Sequence, residues 1–244
     1  MAVTKTTPLK ILQADPTSFL LHCEPKVGKT FLAGTFPGSQ FVSCPSDEAL
    51  TLAALPGAST RPIYQVENWE DFCKAGLHLS EQKRTEEFQT LVFDTWTFGY
   101  QLAVEYTLSK QRDPSITSQD TWTNANRRCL NLIDNVKRNN HASGKNLIVC
   151  CHSRLTNIGT DTEPDYRTRV DLGDSLRSRF LGRFSSIFHL RMVGNDKREL
   201  VMKRTSKIDA GSRYKFDKNM LDPTAEQILA KIQEYKEKME KENG

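Results

Sequence analysis

The segment Phe19–Thr30, FLLHCEPKVGKT, constrains this chain more than any other. A short apolar run (Phe19, Leu20, Leu21) enters a turn ending Gly28-Lys29-Thr30, and helix-compatible residues follow. Strand, tight loop and helix in that order make a phosphate cradle. Backbone N–H groups and the positive helix end face the anion, the lysine reaches the outer phosphates, and the hydroxyl sits on Mg²⁺. Glu24, Pro25, Lys26, Val27, Gly28, Lys29, Thr30 and Phe31 are therefore the candidate nucleotide-binding residues, Thr30 doubling as a metal ligand. The full pattern has glycine five residues before Gly28; here Cys23 stands in that place, without glycine's freedom at positive φ.

Apolar strands alternating with helical stretches continue downstream. Gln40–Cys44, Ile63–Val66, Leu91–Asp94, Asn146–Cys151, Ser186–Val193 and Glu199–Arg204 read as strands. Trp69–Leu79, Trp96–Ser109, Asn124–Asn139, Ser175–Leu181 and a last helix from Pro223 carry helical spacing. Such alternation predicts an α/β fold whose mostly parallel central sheet is covered on both faces. We expect a core over residues 1–216 and a helical extension over 217–244. The stretches 111–123 and 156–169 are polar and read as loops, the second a mobile one; Lys207–Lys215 reads as a basic turn.

Ligands of open parallel sheets bind beyond the carboxyl ends of the strands. Lys29, Asp47 or Glu48, Asp94 and His152 each follow an apolar strand. Asp94 ends LVFD, the place for a carboxylate holding Mg²⁺ opposite Thr30. Asp47 or Glu48 is placed to orient the attacking water, and His152 to sense the terminal phosphate with help from Arg154.

Charge narrows the partners. Between Lys137 and Lys215 there are 17 Lys and Arg against 8 Asp and Glu, a surplus of nine in a chain of net charge +4, so the remainder is acidic. A basic half beside a phosphate loop suits a polyanion or phosphate chemistry. The loop after His152 can meet a nucleic-acid backbone through Arg154, Asn157, Arg167 and Arg169, with Trp122 and Tyr166 as stacking candidates. Lys203, Arg204, Lys207 and Arg213 can reach a neighbouring subunit's nucleotide. Six cysteines (Cys23, Cys44, Cys73, Cys129, Cys150, Cys151) form no CxxC pair and fit buried thiols in a reducing compartment. No apolar run is long enough for a membrane span, and the first ten residues lack a signal-peptide core, so a cytoplasmic location is expected.

Together CEPKVGKT, PSDEAL, LVFD, NLIVCCHSR and the tail GDSLRSRFLGRFSSIFHL through KIDAGSRYKF resemble the RecA-like P-loop ATPases, over about Leu9 to Phe216. The likeness is to compact phage-encoded forms of the AAA or RecA-like type, some acting in single-strand annealing and recombination. It implies ATP and Mg²⁺ bound by Lys29 and Thr30, with Asp94 as the metal carboxylate and Asp47 or Glu48 as the catalytic acid. His152 would link ATP to a DNA-binding loop at Thr156–Arg169, and Lys207 and Arg213 would be trans-acting cations. The partners implied are single-stranded DNA, further copies of the chain in a ring or filament, and a single-strand-binding protein, in the host cytoplasm for a phage product. Two other functions fit the residues: a small-molecule kinase with Arg177, Arg179 and Arg183 on a lid, and a nucleotide-gated binding module with little turnover.

Overall fold

The computed structural model describes residues 16–243 except 56, 58, 59, 161 and 195; for residues 46–49 and 243 it describes the backbone alone. The elements run β1 (Ser18–Cys23), α1 (Lys29–Gly34), β2 (Ser39–Ser43), a 3₁₀ helix (Ser46–Ala54), β3 (Ile63–Gln65), α2 (Trp69–Glu81), β4 (Thr90–Asp94) and α3 (Trp96–Ser109). They continue with α4 (Gln119–Ala142), β5 (Asn146–Asn157), β6 (Tyr166–Val170), α5 (Asp174–Leu181), β7 (Ser186–Val193), β8 (Lys197–Val201), β9 (Gly211–Ser212), β10 (Met220–Leu221) and α6 (Ala225–Asn243).

The main sheet is ordered β10-β8-β7-β1-β5-β4-β2-β3, and its six strands from β7 to β3 are parallel. The phosphate-loop strand β1 lies between β5 and β7 and is buried along its whole length. Side chains of successive strand residues go to opposite faces, and the two cores divide accordingly. Leu20, Val42, Phe93 and Val149 pack under α2, α3, α4 and α5, whereas Phe19, Leu21, Phe41, Val92, Ile148 and Phe188 pack under α1 and α6. Ile228 and Ile232 of α6 are buried in that second core, and β10 closes the sheet edge against β8.

Several elements differ from expectation. α4 starts five residues earlier than its apolar periodicity, because Ser118 and Thr121 form a reciprocal capping box. The stretch 156–169 is a loop only at its centre: β5 runs on to Asn157 and the chain folds back as β6, pairing Ser153 with Val170 and Asn157 with Tyr166. Its strands are short and polar, which hid them. The basic turn is likewise built in, since β9 pairs with β7, and the Thr168 N–H donates to the Lys207 carbonyl at 2.8 Å.

Helix packing is tight at two glycines. A methyl group added at Gly99 would lie 2.5 Å from Phe72 Cζ, and one at Gly76 would lie 2.6 Å from Phe93 Cζ. Both rings are fully buried and meet Trp96 edge-on. Gly99→Ala is therefore expected to cost about 1–3 kcal/mol by overpacking, read as a lower denaturant midpoint; an unchanged midpoint would show that this layer repacks freely. Lys145, 1 % exposed, closes the C-terminal end of α2, its ammonium donating to the Leu79 and Ser80 carbonyls and lying over the Phe88 ring. A cation there complements the helix dipole, while burial pulls its pKa down to about 8.

Candidate functional site

Beyond Cys23 the chain must turn sharply from a buried strand into a helix. Positive φ falls on Lys26 (68°) and Gly28 (107°), not on Cys23, which is the last residue of β1 and fully buried. Glycine is thus not needed at position 23; it is needed at Gly28, where the left-handed backbone is unfavourable for other residues. Glu24, Pro25 and Lys26 are exposed, Val27 packs on the second core, and the Gly28 carbonyl accepts the first helical bond from Leu32 at 3.0 Å.

Lys29 and Thr30 point inward. The Thr30 hydroxyl donates to Asp94 Oδ2 at 2.6 Å, and Lys29 Nζ lies 3.9 Å from Asp94 Oδ1. These side chains are almost wholly buried beyond the carboxyl ends of β1 and β4, the two strands that flank β5. Two hard oxygen donors beside a lysine suit Mg²⁺, which uses one or two protein oxygens and takes its other ligands from phosphate and water. Thr30 Oγ1 and the Asp94 carboxylate would hold the ion, and Lys29 the phosphates. Asp94 is fixed from behind by β2: the Cys44 N–H donates to its carbonyl at 2.8 Å.

His152 is aligned with Cys23 across β1 and β5, beside the start of the phosphate loop. Its N–H donates to Thr97 Oγ1 at 2.9 Å, and its ring stands edge-on to Phe98. The Asp47 and Glu48 side chains lie outside the described residues; their backbone begins the 3₁₀ helix that follows β2.

The other expected residues separate into two groups. Arg154 pairs with Asp174 at 2.8 Å and Asp171 at 3.8 Å, and Asn157 Oδ1 accepts the Gly159 and Asp165 N–H groups, shaping the β5–β6 turn. Lys207 is ion-paired with Asp165 of the same chain, and Arg213 is exposed. Arg167, which also meets Asp165 at 3.4 Å, and Arg169 line a cavity of about 310 Å³ together with Arg204, Thr205, Ser206 and Asp209. Of the arginines proposed for a kinase lid, Arg177 is held by Asp174 and Asp209 on a helix whose Leu176 and Phe180 are core residues, and Arg183, just beyond that helix, is held by Asp134. Trp122 leans on Tyr100, and Tyr166 is exposed on the β5–β6 hairpin beside Leu155.

One connection had no sequence signal beyond two histidines inside apolar strands. His22, the residue before Cys23, has its Nε2 2.6 Å from the Asp209 carbonyl and its Nδ1 2.8 Å from Ser153 Oγ. A carbonyl only accepts, so Nε2 carries the proton and Nδ1 accepts from the serine hydroxyl. Ser153 Oγ is in turn 3.5 Å from His189 Nδ1. Burial pulls the His22 pKa down to about 4, against a smaller rise from the Asp209 carbonyl bond, and pulls His189 down to about 3. Asp209 lies in the turn lining the arginine cavity; its N–H donates to Thr168 and its carboxylate accepts from Val170. The phosphate-loop strand is thus hydrogen-bonded to the floor of that cavity.

A family model described as AAA domain, AAA_24, matches residues 15–214. No curated protein matches. Among solved structures, the crystal structure of the RadB recombinase is similar with a TM-score of 0.48 and 15 % identity, over 79 % of this chain and 84 % of that chain.

Proposed function

The chain belongs to the AAA domain family, and from that premise we propose that it is a RecA-like ATPase that binds single-stranded DNA and acts as an oligomer in annealing or recombination. The observation carrying the reading is the meeting of Lys29, Thr30 and Asp94 at one buried point above the sheet. Lys29 holds the outer phosphates, and Thr30 and Asp94 hold Mg²⁺, which when bound supplies charge neutralisation at the transferring phosphoryl group. Asp47 or Glu48 positions the water, and His152 sits where a change at the terminal phosphate reaches β5 and the hairpin beyond it.

The DNA half of the proposal is supported by the arginine-lined cavity, with Arg167, Arg169 and Arg204 as backbone contacts. Arg154 and Asn157 of the broader set lie outside that cavity and are engaged within the fold. The His22 bonds to Asp209 and Ser153 give a physical route by which nucleotide and DNA sense each other. Exposed Leu155 and Tyr166 suit base stacking or a subunit contact. Arg213 remains the candidate trans-acting cation.

The test is ATP hydrolysis with and without single-stranded DNA, alongside DNA affinity over a salt series. Stimulation by DNA is expected. Arg167→Ala/Arg169→Ala is expected to weaken binding roughly 10- to 100-fold and to lower the salt slope by about 1.4, two single-strand contacts' worth. A turnover indifferent to DNA would remove the coupling and leave a nucleotide-gated module; phosphate transfer to a small acceptor would favour the kinase.

A further inference from the structure

The phosphate loop is covered by a side chain from the far end of the domain. The β7–β8 hairpin brings Arg198 back over it: a methyl group built on Gly28 would lie 3.1 Å from Arg198 Cζ, 3.2 Å from Nη1 and 3.3 Å from Nε. The same guanidinium lies 5.5 Å from the centre of the Phe31 ring. Its backbone is clamped at both ends by one residue. The Arg198 N–H donates to Asp222 Oδ1 at 3.0 Å, and its carbonyl accepts the Asp222 N–H at 2.7 Å. The neighbouring acid, Glu199, is taken by Arg191 and Asn219. Among the described residues no carboxylate pairs with the Arg198 guanidinium.

We infer that Arg198 is a nucleotide-binding cation supplied by the same chain, contacting the phosphates of a nucleoside di- or triphosphate held in the Glu24–Thr30 loop. This rests on the phosphate-loop reading and adds to it a residue that the loop's own sequence does not contain. Geometry selects phosphate over base. The guanidinium lies over the Phe31 ring beside Gly28, at the phosphate end of the loop, and its fork of N–H donors matches phosphate oxygens. The clamp by Asp222 holds the strand carrying the charge, so little ordering remains to be done when the anion arrives. Arg198 thereby differs from Lys207, whose ammonium is ion-paired with Asp165 on the far hairpin.

The experiment is calorimetric titration of Mg-ATP, Mg-ADP and Mg-GTP into the wild type, Arg198→Ala, Arg198→Lys and Lys29→Ala, with thermal melting of each. Arg198→Ala is expected to weaken ATP and ADP alike by roughly 10- to 100-fold, as for loss of a charge-assisted hydrogen bond. The ATP-to-GTP ratio should stay constant, the melting temperature should be kept, and Arg198→Lys should recover part of the loss. Wild-type affinity in Arg198→Ala, with Lys29→Ala still defective, overturns the inference alone. An ATP-to-GTP ratio that shifts with the loss overturns it in favour of a base contact. Equal losses in the alanine and lysine variants with lowered melting temperatures overturn it in favour of packing. A wild type that binds none of the nucleotides overturns the phosphate-loop reading and this inference with it.

Discussion

Lys29→Ala should lower ATP turnover by at least about 10²–10³-fold, the usual consequence of removing one preorganised charge from a phosphoryl-transfer site. The lysine side chain is 4 % exposed and its carboxylate neighbour is buried, so the pair acts in a dry site where each charge counts for more than in water. Removing only the lysine also leaves Asp94 with less compensation, which can destabilise the fold. Asp94→Asn tests the metal side of the pair. It keeps the shape and still accepts from Thr30, but lowers the charge available to Mg²⁺, so turnover should fall about 100-fold or more; it also leaves the buried Lys29 without its counter-charge, so the melting temperature should fall as well. It should also demand more Mg²⁺ for half-maximal rate. If both variants turn over ATP within threefold of the wild type, Lys29, Thr30 and Asp94 are a structural cluster and the hydrolytic site lies elsewhere.

The parts of this site legible in the sequence are those whose signal is local. Gly28-Lys29-Thr30 follows a strand, Asp94 ends another, and the rule that parallel sheets bind ligands at their carboxyl ends joins them without knowledge of strand order. Cys23 looked like a defect only because the motif was read as a string; the backbone places the left-handed turn at Lys26 and Gly28 instead. What stayed hidden depends on pairing between distant segments. Arg198 reaches Gly28 only through the β7–β8 hairpin, and nothing near position 198 marks it. The β5–β6 hairpin read as a loop because each extension is five residues long and polar, and its register comes from tertiary contacts with the 205–210 turn, not from alternation. With it went the sorting of the arginines. Arg154 and Arg167 look equivalent in sequence and each meets an aspartate, yet only Arg167 lines the cavity.

The histidine network makes the second strong prediction: the wild type should lose stability steeply in mild acid. His22 is held neutral in the fold, its pKa pulled from 6.5 to about 4 by burial. Unfolded chains take up the proton near pH 6.5 and the folded chain does not, so stability is complete above about pH 6.5 and is lost as pH falls toward 4. The difference corresponds to on the order of 3 kcal/mol for His22 alone. His189 is shifted the same way, by burial first and then by the charges of His22 and Arg191, but shares the Ser153 hydroxyl, so the two contributions do not simply add. His22→Gln can still donate to the Asp209 carbonyl without a titrating ring. Urea midpoints at pH 7, 5 and 4 should therefore fall less in this variant than in the wild type, and parallel curves would refute the assignment. The same position bears on function. If these bonds carry the message between the phosphate loop and the arginine cavity, His22→Leu at pH 7, which removes the bonds to both Asp209 and Ser153, should retain ATP and DNA binding while losing stimulation of one by the other, because it alters the connection and neither end.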